Sequence, residues 1–166
     1  NHGGFINAYS EKGHGTTFNF YLPASKKEVS VEKQSVQRLL KGSETVLLID
    51  DEDVIIDVGK PLLERLGYKV LTAKNGQNAI QILEENKQLI DMVILDMVMP
   101  NMGGDRTYDR MKEIDPDIKV LLSSGYSING RATEILNRGC NGFIQKPFGI
   151  TELSIKLREI LEKKNT

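Results

Sequence analysis

Beyond residue 44 the chain is punctuated by short apolar runs without polar alternation: Val46-Leu47-Leu48-Ile49, Met92-Val93-Ile94-Leu95, Val120-Leu121-Leu122-Ser123 and Phe143-Ile144-Gln145. Runs of this kind read as strands buried on both faces of a parallel sheet. The segments between them have helical period, so the pattern predicts a βα repeat wound into a parallel sheet with helices on both faces and right-handed crossovers. Five strands are expected, at Thr45–Ile49, Lys69–Ala73, Met92–Leu95, Lys119–Ser123 and Gly142–Gln145, with five helices. The first helix should run from Asp53 to Leu66, bent at Pro61 where an interior N–H is missing, and stop at Gly67. Asn75-Gly76 starts the second, with Ala79 and Leu83 on one face. In the last, Thr151 is the expected N-cap, Leu153, Leu157, Ile160 and Leu161 form an apolar stripe, and Lys163-Lys164 suit the C-terminal dipole.

The pattern before residue 25 is different. Phe5-Ile6-Asn7-Ala8-Tyr9 and Thr17-Phe18-Asn19-Phe20-Tyr21-Leu22 alternate around a glycine-containing stretch, Ser10–Thr16, and predict a β-hairpin with a loop too glycine-rich to be tight. A lone hairpin is marginally stable, so it must pack on something or belong to a larger domain, and its open edges could pair with another copy. Residues 25–43 are polar and read as a linker, with a short helix carrying Val36, Leu39 and Leu40 and ending at Gly42.

Composition changes this picture little. With 22 Lys+Arg against 23 Asp+Glu the net charge is -1, so nothing favours nucleic acid or an anionic membrane surface as a partner. The single cysteine, Cys140, has no internal disulfide partner and reads as a small buried hydrophobe. No apolar stretch reaches the roughly 18 residues of a membrane span and no leader pattern is present, which gives the expectation of a cytoplasmic segment, with an anchor allowed elsewhere in a longer parent.

The chemistry lies at the ends of the apolar runs. Asp50-Asp51, Asp96, Ser124 and Lys146 each follow one, and in parallel α/β sheets ligands bind outside the carboxyl ends of the strands. Clustered carboxylates repel unless a hard cation takes up their charge, and Mg²⁺ suits such a site because it leaves room for phosphate oxygens. A carboxylate beside it can act as a nucleophile and become an acyl phosphate, which points to Asp96. Lys146 and Ser124 would meet the charge on the phosphoryl oxygens.

With these motifs in order, residues 44–163 resemble a response-regulator receiver domain. The acidic pair matches Asp50-Asp51, and the phosphoacceptor matches Asp96 in Leu95-Asp96-Met97-Val98-Met99-Pro100, followed by Gly103-Gly104. The switch hydroxyl matches Ser124 in Ser123-Ser124-Gly125-Tyr126, with Ser123 as the fallback, and the lysine-proline pair matches Lys146-Pro147-Phe148. The switch aromatic matches Phe143, where many relatives have tyrosine, so a phenol hydrogen bond is absent. The resemblance implies a flavodoxin-like doubly wound sheet of order 2-1-3-4-5, counted within the repeat, and a cis Lys146-Pro147 bond. It implies Mg²⁺ held by Asp51, Asp96 and the Val98 backbone carbonyl, with Asp50 acting through water. It further implies phosphoryl transfer from a phosphohistidine onto Asp96, and a switch in which Ser124 moves, Phe143 packs behind it, and the face of the fourth helix, fifth strand and fifth helix changes. Val98 and Tyr126 border the site and should influence dephosphorylation. The donor would be a histidine kinase or a histidine-phosphotransfer domain. No independent kinase activity is implied for this stretch, only promotion of its own phosphorylation and dephosphorylation.

Asn1-His2-Gly3-Gly4-Phe5-Ile6, Ser10 to Phe18 and Tyr21-Leu22-Pro23 resemble the end of a histidine-kinase ATP-binding domain, including its last glycine box. The expected organisation is thus a kinase-domain remnant at 1–24, a linker at 25–43 and a receiver at 44–166, as in the C-terminal part of a hybrid sensor histidine kinase. Gly13, Gly15 and Thr16 are then vestigial, no ATP binding is expected, and His2 and His14 are ordinary exposed histidines. Two other readings stand beside it. Asp51-Glu52-Asp53 is an Asp-x-Asp after a first strand, as in haloacid-dehalogenase-like Mg²⁺-dependent phosphatases, although no later acidic pair completes that site. A receiver used only for docking, without phosphorylation, is the other.

Overall fold

The computed structural model describes residues 3–24, 39–125 and 130–163, and the chain divides into two compact units, Asn1–Val36 and Gln37–Thr166. In the first, β1 (Phe5–Glu11) pairs antiparallel with β2 (Gly15–Tyr21), in register from Phe5 opposite Tyr21 to Glu11 opposite Gly15. The connection is tighter than the glycine content suggested. Strand pairing continues to Glu11 and Gly15, because Gly13 and Gly15 take φ values of 85° and 96° and the His14 N–H closes on the Glu11 carbonyl at 3.0 Å. Phe5 and Tyr21 stack with ring centroids 4.5 Å apart.

The second unit is the expected βα repeat: β3 (Thr45–Ile49), α1 (Asp53–Arg65), β4 (Lys69–Ala73), α2 (Gly76–Asn86), β5 (Met92–Asp96), α3 (Gly104–Ile114), β6 (Lys119–Ser124), α4 (Gly130–Asn137), β7 (Gly142–Gln145) and α5 (Ile150–Glu162). All four strand pairings are parallel, in the order β4-β3-β5-β6-β7, which is 2-1-3-4-5 within the repeat. Strand alternation divides the core. Leu47, Ile49, Val93, Leu95, Val120 and Leu122 pack with Ala79 and Leu83 of α2, Tyr108 and Met111 of α3 and Ile135 of α4. Val46, Leu48, Met92, Ile94, Leu121 and Ile144 face the other way, onto Ile56 and Leu63 of α1 and Leu153, Leu157 and Ile160 of α5. Because both faces are covered, the strands carry no polar alternation.

Helix ends fix how the chain returns to the sheet. Asn75 caps α2 by accepting the Asn78 N–H at 2.8 Å. α1 continues unbroken through Pro61 and ends in a Schellman motif: the Gly67 N–H bonds the Glu64 carbonyl at 2.9 Å and the Tyr68 N–H bonds that of Leu63 at 3.1 Å. Gly67 has φ 98°, and a Cβ there would overlap the Gly42 carbonyl. Gly67→Ala is therefore expected to cost about 2 kcal/mol or more, from left-handed strain alone before the overlap is counted; the shift of its urea midpoint against the parent measures this. Thr151 is not the N-cap of α5. The cap lies two residues earlier, at Gly149, and the Thr151 carbonyl accepts from the Ser154 hydroxyl at 2.8 Å. The other end is held by Lys119, whose ammonium bonds the Leu161 and Lys163 carbonyls at 2.7 and 3.0 Å. Of the expected linker helix, Val36 lies outside the described residues, while Leu39 and Leu40 precede β3 without helical structure.

Candidate functional site

The carboxyl ends of β3, β5, β6 and β7 bring the predicted residues to one edge. β5 and β6 each run one residue further than expected, so Asp96 and Ser124 lie within the strands, while Asp50 directly follows β3 and Lys146 directly follows β7. Carboxylate oxygens of Asp50, Asp51 and Asp96 all lie within 4.8 Å of one another. The Lys146 ammonium donates to Asp50 Oδ2 at 2.5 Å and to Asp96 Oδ1 at 2.7 Å. The backbone completes both acids: Asp50 Oδ1 accepts the Glu52 N–H at 3.1 Å and Asp96 Oδ2 accepts the Val98 N–H at 3.0 Å. The Lys146-Pro147 bond is cis.

Burial sets the electrostatics. Asp50 and Asp96 are buried and Asp51 is more open. Burial pushes the Asp96 carboxyl above its ordinary range; the hydrogen bond and charge of Lys146 pull it down, and the nearby Asp50 adds to the rise. For Lys146, burial acts to lower the value, but the two carboxylates outweigh it and the ammonium is held above its usual range. Three carboxylates face one ammonium, a formal excess of two negative charges. A divalent cation with oxygen preference fits that donor set, and Asp51, the most open of the three, gives it a ligand not occupied by the lysine.

A cleft of about 660 Å³ opens over Asp96. Asp51, Asp96 and Lys146 line it together with an apolar wall of Ile55, Val58 and Leu62 from α1 and Phe148. These wall residues escaped sequence reasoning. The available signal was that α1 carries more apolar positions than one buried stripe uses, with Val54 and Val58 left 70% and 57% exposed. Gly104 does more than belong to a motif: a Cβ there would collide with the Asp96 and Met97 backbone, so glycine lets α3 start directly under the acceptor.

Ser124 is buried and lies on the same sheet face as Leu122, whose partner across the ladder is Phe143. Phe143 is half-buried and packs on the α2–α4 side of the core. Ser123, the fallback, alternates to the opposite face, and its hydroxyl is buried without a partner. Val98 lines the cleft and is 61% exposed, while Tyr126 lies outside the described residues. Asp53, the second acid of the Asp-x-Asp reading, is not gathered with the others. It starts α1 and pairs with Lys74 at 2.5 Å. His14 is exposed in the hairpin turn, Gly13 and Gly15 shape that turn, the Thr16 hydroxyl meets that of Ser10 at 2.9 Å, and His2 lies outside the described residues. Among the described residues no helix is long and apolar enough to cross a membrane.

The family model of the response regulator receiver domain matches residues 46–158. The sensor kinase CckA of Brucella abortus (strain 2308) is 37% identical over 172 residues, covering 98% of this chain and 18% of that protein, so the chain spans about a fifth of its relative's length. Among solved structures, a response regulator receiver domain protein from Clostridium thermocellum superposes with a TM-score of 0.68 at 33% identity, covering 71% of this chain and 94% of that one. The receiver domain of the hybrid histidine kinase CckA gives 0.61 at 30% identity, covering 71% and 99%. Sheet order, acidic edge and sequence match agree, and the chain belongs to the family of response regulator receiver domains.

Proposed function

We propose that the chain accepts a phosphoryl group from a phosphohistidine onto Asp96, in a site that holds Mg²⁺ through Asp51, Asp96 and the Val98 carbonyl, with Asp50 acting through water. The observation that carries this is the junction of Asp50, Asp51, Asp96 and Lys146 on one strand edge. A bound Mg²⁺ would neutralise the carboxylates and the transferring phosphoryl oxygens. An Asp96 oxygen attacks phosphorus, the phosphorus–nitrogen bond breaks, and its electron pair leaves with the donor imidazole. Lys146 is placed to meet the added charge because it already bridges Asp50 and Asp96, and Ser124 is the hydroxyl offered by β6. The apolar wall of Ile55, Val58, Leu62 and Phe148 suits a donor helix, from a histidine kinase or a histidine-phosphotransfer domain, laid beside the acceptor.

Alignment of the sensor kinase across 98% of the chain supports an origin in a hybrid sensor kinase. In that reading residues 1–24 end its ATP-binding domain, 25–43 link and 44–166 receive, and Gly13, Gly15 and Thr16 are assigned no nucleotide binding on their own. Incubation with Mg²⁺ and a small-molecule phosphodonor, followed by intact mass, tests the acceptor reading. One phosphoryl group per chain is expected. Repeated turnover of a phosphomonoester with no mass gain would replace it with a phosphatase.

The switch lies on the other face. Phe143→Ala is expected to leave phosphoryl incorporation complete while weakening the phosphorylation-dependent gain in partner affinity by about fivefold or more, the lower end of ordinary coupling. Titration of the partner against both forms checks it, and an unchanged gain would remove Phe143 from the switch.

A further inference from the structure

At the edge of the sheet opposite the site, residues 39–44 do not trail away as a linker. Leu39 packs on the α1–α5 core, and the Gly42 N–H donates to the Leu66 carbonyl at 3.0 Å, at the end of α1. Gly42 lies so close to the buried Tyr68 ring that a Cβ would overlap it. The Glu44 carbonyl accepts the Lys69 N–H at 3.0 Å. The Glu44 carboxylate then accepts the Ser43 N–H at 2.7 Å and pairs with Arg158 at 2.6 Å, while Arg158 also holds Glu162 at 3.1 Å. The side chains of Glu44 and Arg158 are 26% and 17% exposed, so this pair is shielded from solvent far more than an ordinary surface ion pair.

We infer that residues 39–44 are a strap coupling the incoming linker to the phosphorylation site through α5, with the Glu44–Arg158 ion pair as its fastening. α5 is a rod of 13 residues, about 20 Å long, which is longer than a five-residue strand of about 16 Å. It begins just after Lys146-Pro147-Phe148 at the site and carries Arg158 to the opposite edge. A displacement of the Lys146 segment on phosphorylation therefore reaches the strap along one rigid element, with no change in the sheet between. By linkage the strap acts back on the site with the same factor. In a hybrid kinase this would let the position of the preceding unit bias phosphoryl occupancy. The inference rests on the receiver reading above.

The test uses beryllium trifluoride with Mg²⁺ as a phosphoryl mimic on the full chain, and amide exchange at Gly42 as the readout, since that N–H is held only while the strap is seated. Loading is expected to change Gly42 exchange by about fivefold, and Arg158→Met is expected to abolish that response and shift the mimic's apparent affinity by the same factor. Glu44→Gln, which keeps the shape of the strap, should reproduce the Arg158→Met result and serves if that variant is poorly folded by circular dichroism. Loading that alters exchange around Asp96 and Phe143 but leaves Gly42 unchanged would overturn the strap and leave the receiver reading intact. Failure to load the mimic, together with failure to gain a phosphoryl group, would overturn both.

Discussion

Asp96→Asn is expected to take up no phosphoryl group under conditions that load the parent fully. The amide keeps the shape of the side chain, and its single oxygen can still accept from Val98 or Lys146, so the fold has no reason to change. What is lost is the nucleophile, since an amide oxygen cannot form a stable acyl phosphate. The site also loses one of its three carboxylates, and Mg²⁺ affinity should fall by about tenfold or more, which corresponds to about 1.4 kcal/mol. Stability of the metal-free protein should move the other way. Burial and the neighbouring Asp50 already disfavour the ionised form of Asp96, so a neutral group in its place relieves repulsion. Intact mass and urea unfolding read the two halves separately. A phosphoryl gain in Asp96→Asn would transfer the acceptor role to another residue; a loss of stability near neutral pH would show that the carboxylate is a structural partner of Lys146 first.

Lys146→Met is expected to destabilise the metal-free protein by about 3 kcal/mol near neutral pH, because it leaves two buried carboxylates with no counter-charge. The pH dependence follows from the directions of the shifts. Lys146 is held above its usual range, so the stability it contributes is complete below the ordinary lysine value and is lost only as pH rises through the raised one. Asp96 is also raised, so the folded protein binds its proton more readily than the unfolded chain, and stability declines as pH rises through that raised value. Removing the ammonium widens that window. The deficit of Lys146→Met should therefore shrink as the solution is acidified toward the Asp96 range and grow again toward neutrality. Mg²⁺ should stabilise the variant by about 2.7 kcal/mol at a hundredfold excess over its dissociation constant, and the deficit against the parent should narrow to the extent that the variant, freed of the competing ammonium, binds the ion more tightly. Urea titrations at several pH values, with and without Mg²⁺, decide the matter. A deficit unaffected by either would mean that the lysine acts through packing alone.

The parts of this molecule that were legible from sequence are those written in local pattern. The limits of β3, β4 and β7 follow from apolar runs and bounding glycines, and the order of the acidic and basic residues along the chain sufficed to place them on one edge. Contacts between distant segments leave no local pattern. Thr151 is a good cap in isolation, yet Gly149 is the N-cap and Thr151 lies inside the first turn of α5. The hairpin turn is short because two glycines adopt positive φ, which residue count alone does not reveal. Which acid Lys146 bridges depends on side-chain reach in three dimensions, and Asp50 receives the bond while its neighbour Asp51 stays open for a cation. The seating of Gly42 under Tyr68 is a backbone-to-ring approach between segments far apart in sequence, and only its glycine hinted at it. The polar composition that made residues 25–43 look like free linker was thus misleading at its C-terminal end.

Adjacent residues of each strand belong to opposite cores, and this bears on how such a protein can diversify. Leu121 faces the helices that flank the acceptor cleft and Leu122 faces those above Phe143, although one peptide bond separates them. Substitutions that repack the α1–α5 core can therefore accumulate without touching the residues that pack behind Phe143, and the reverse. The two cores are separately variable interiors sharing one sheet, and because α5 packs on the cleft side while α4 packs on the other, the proposed output face spans both.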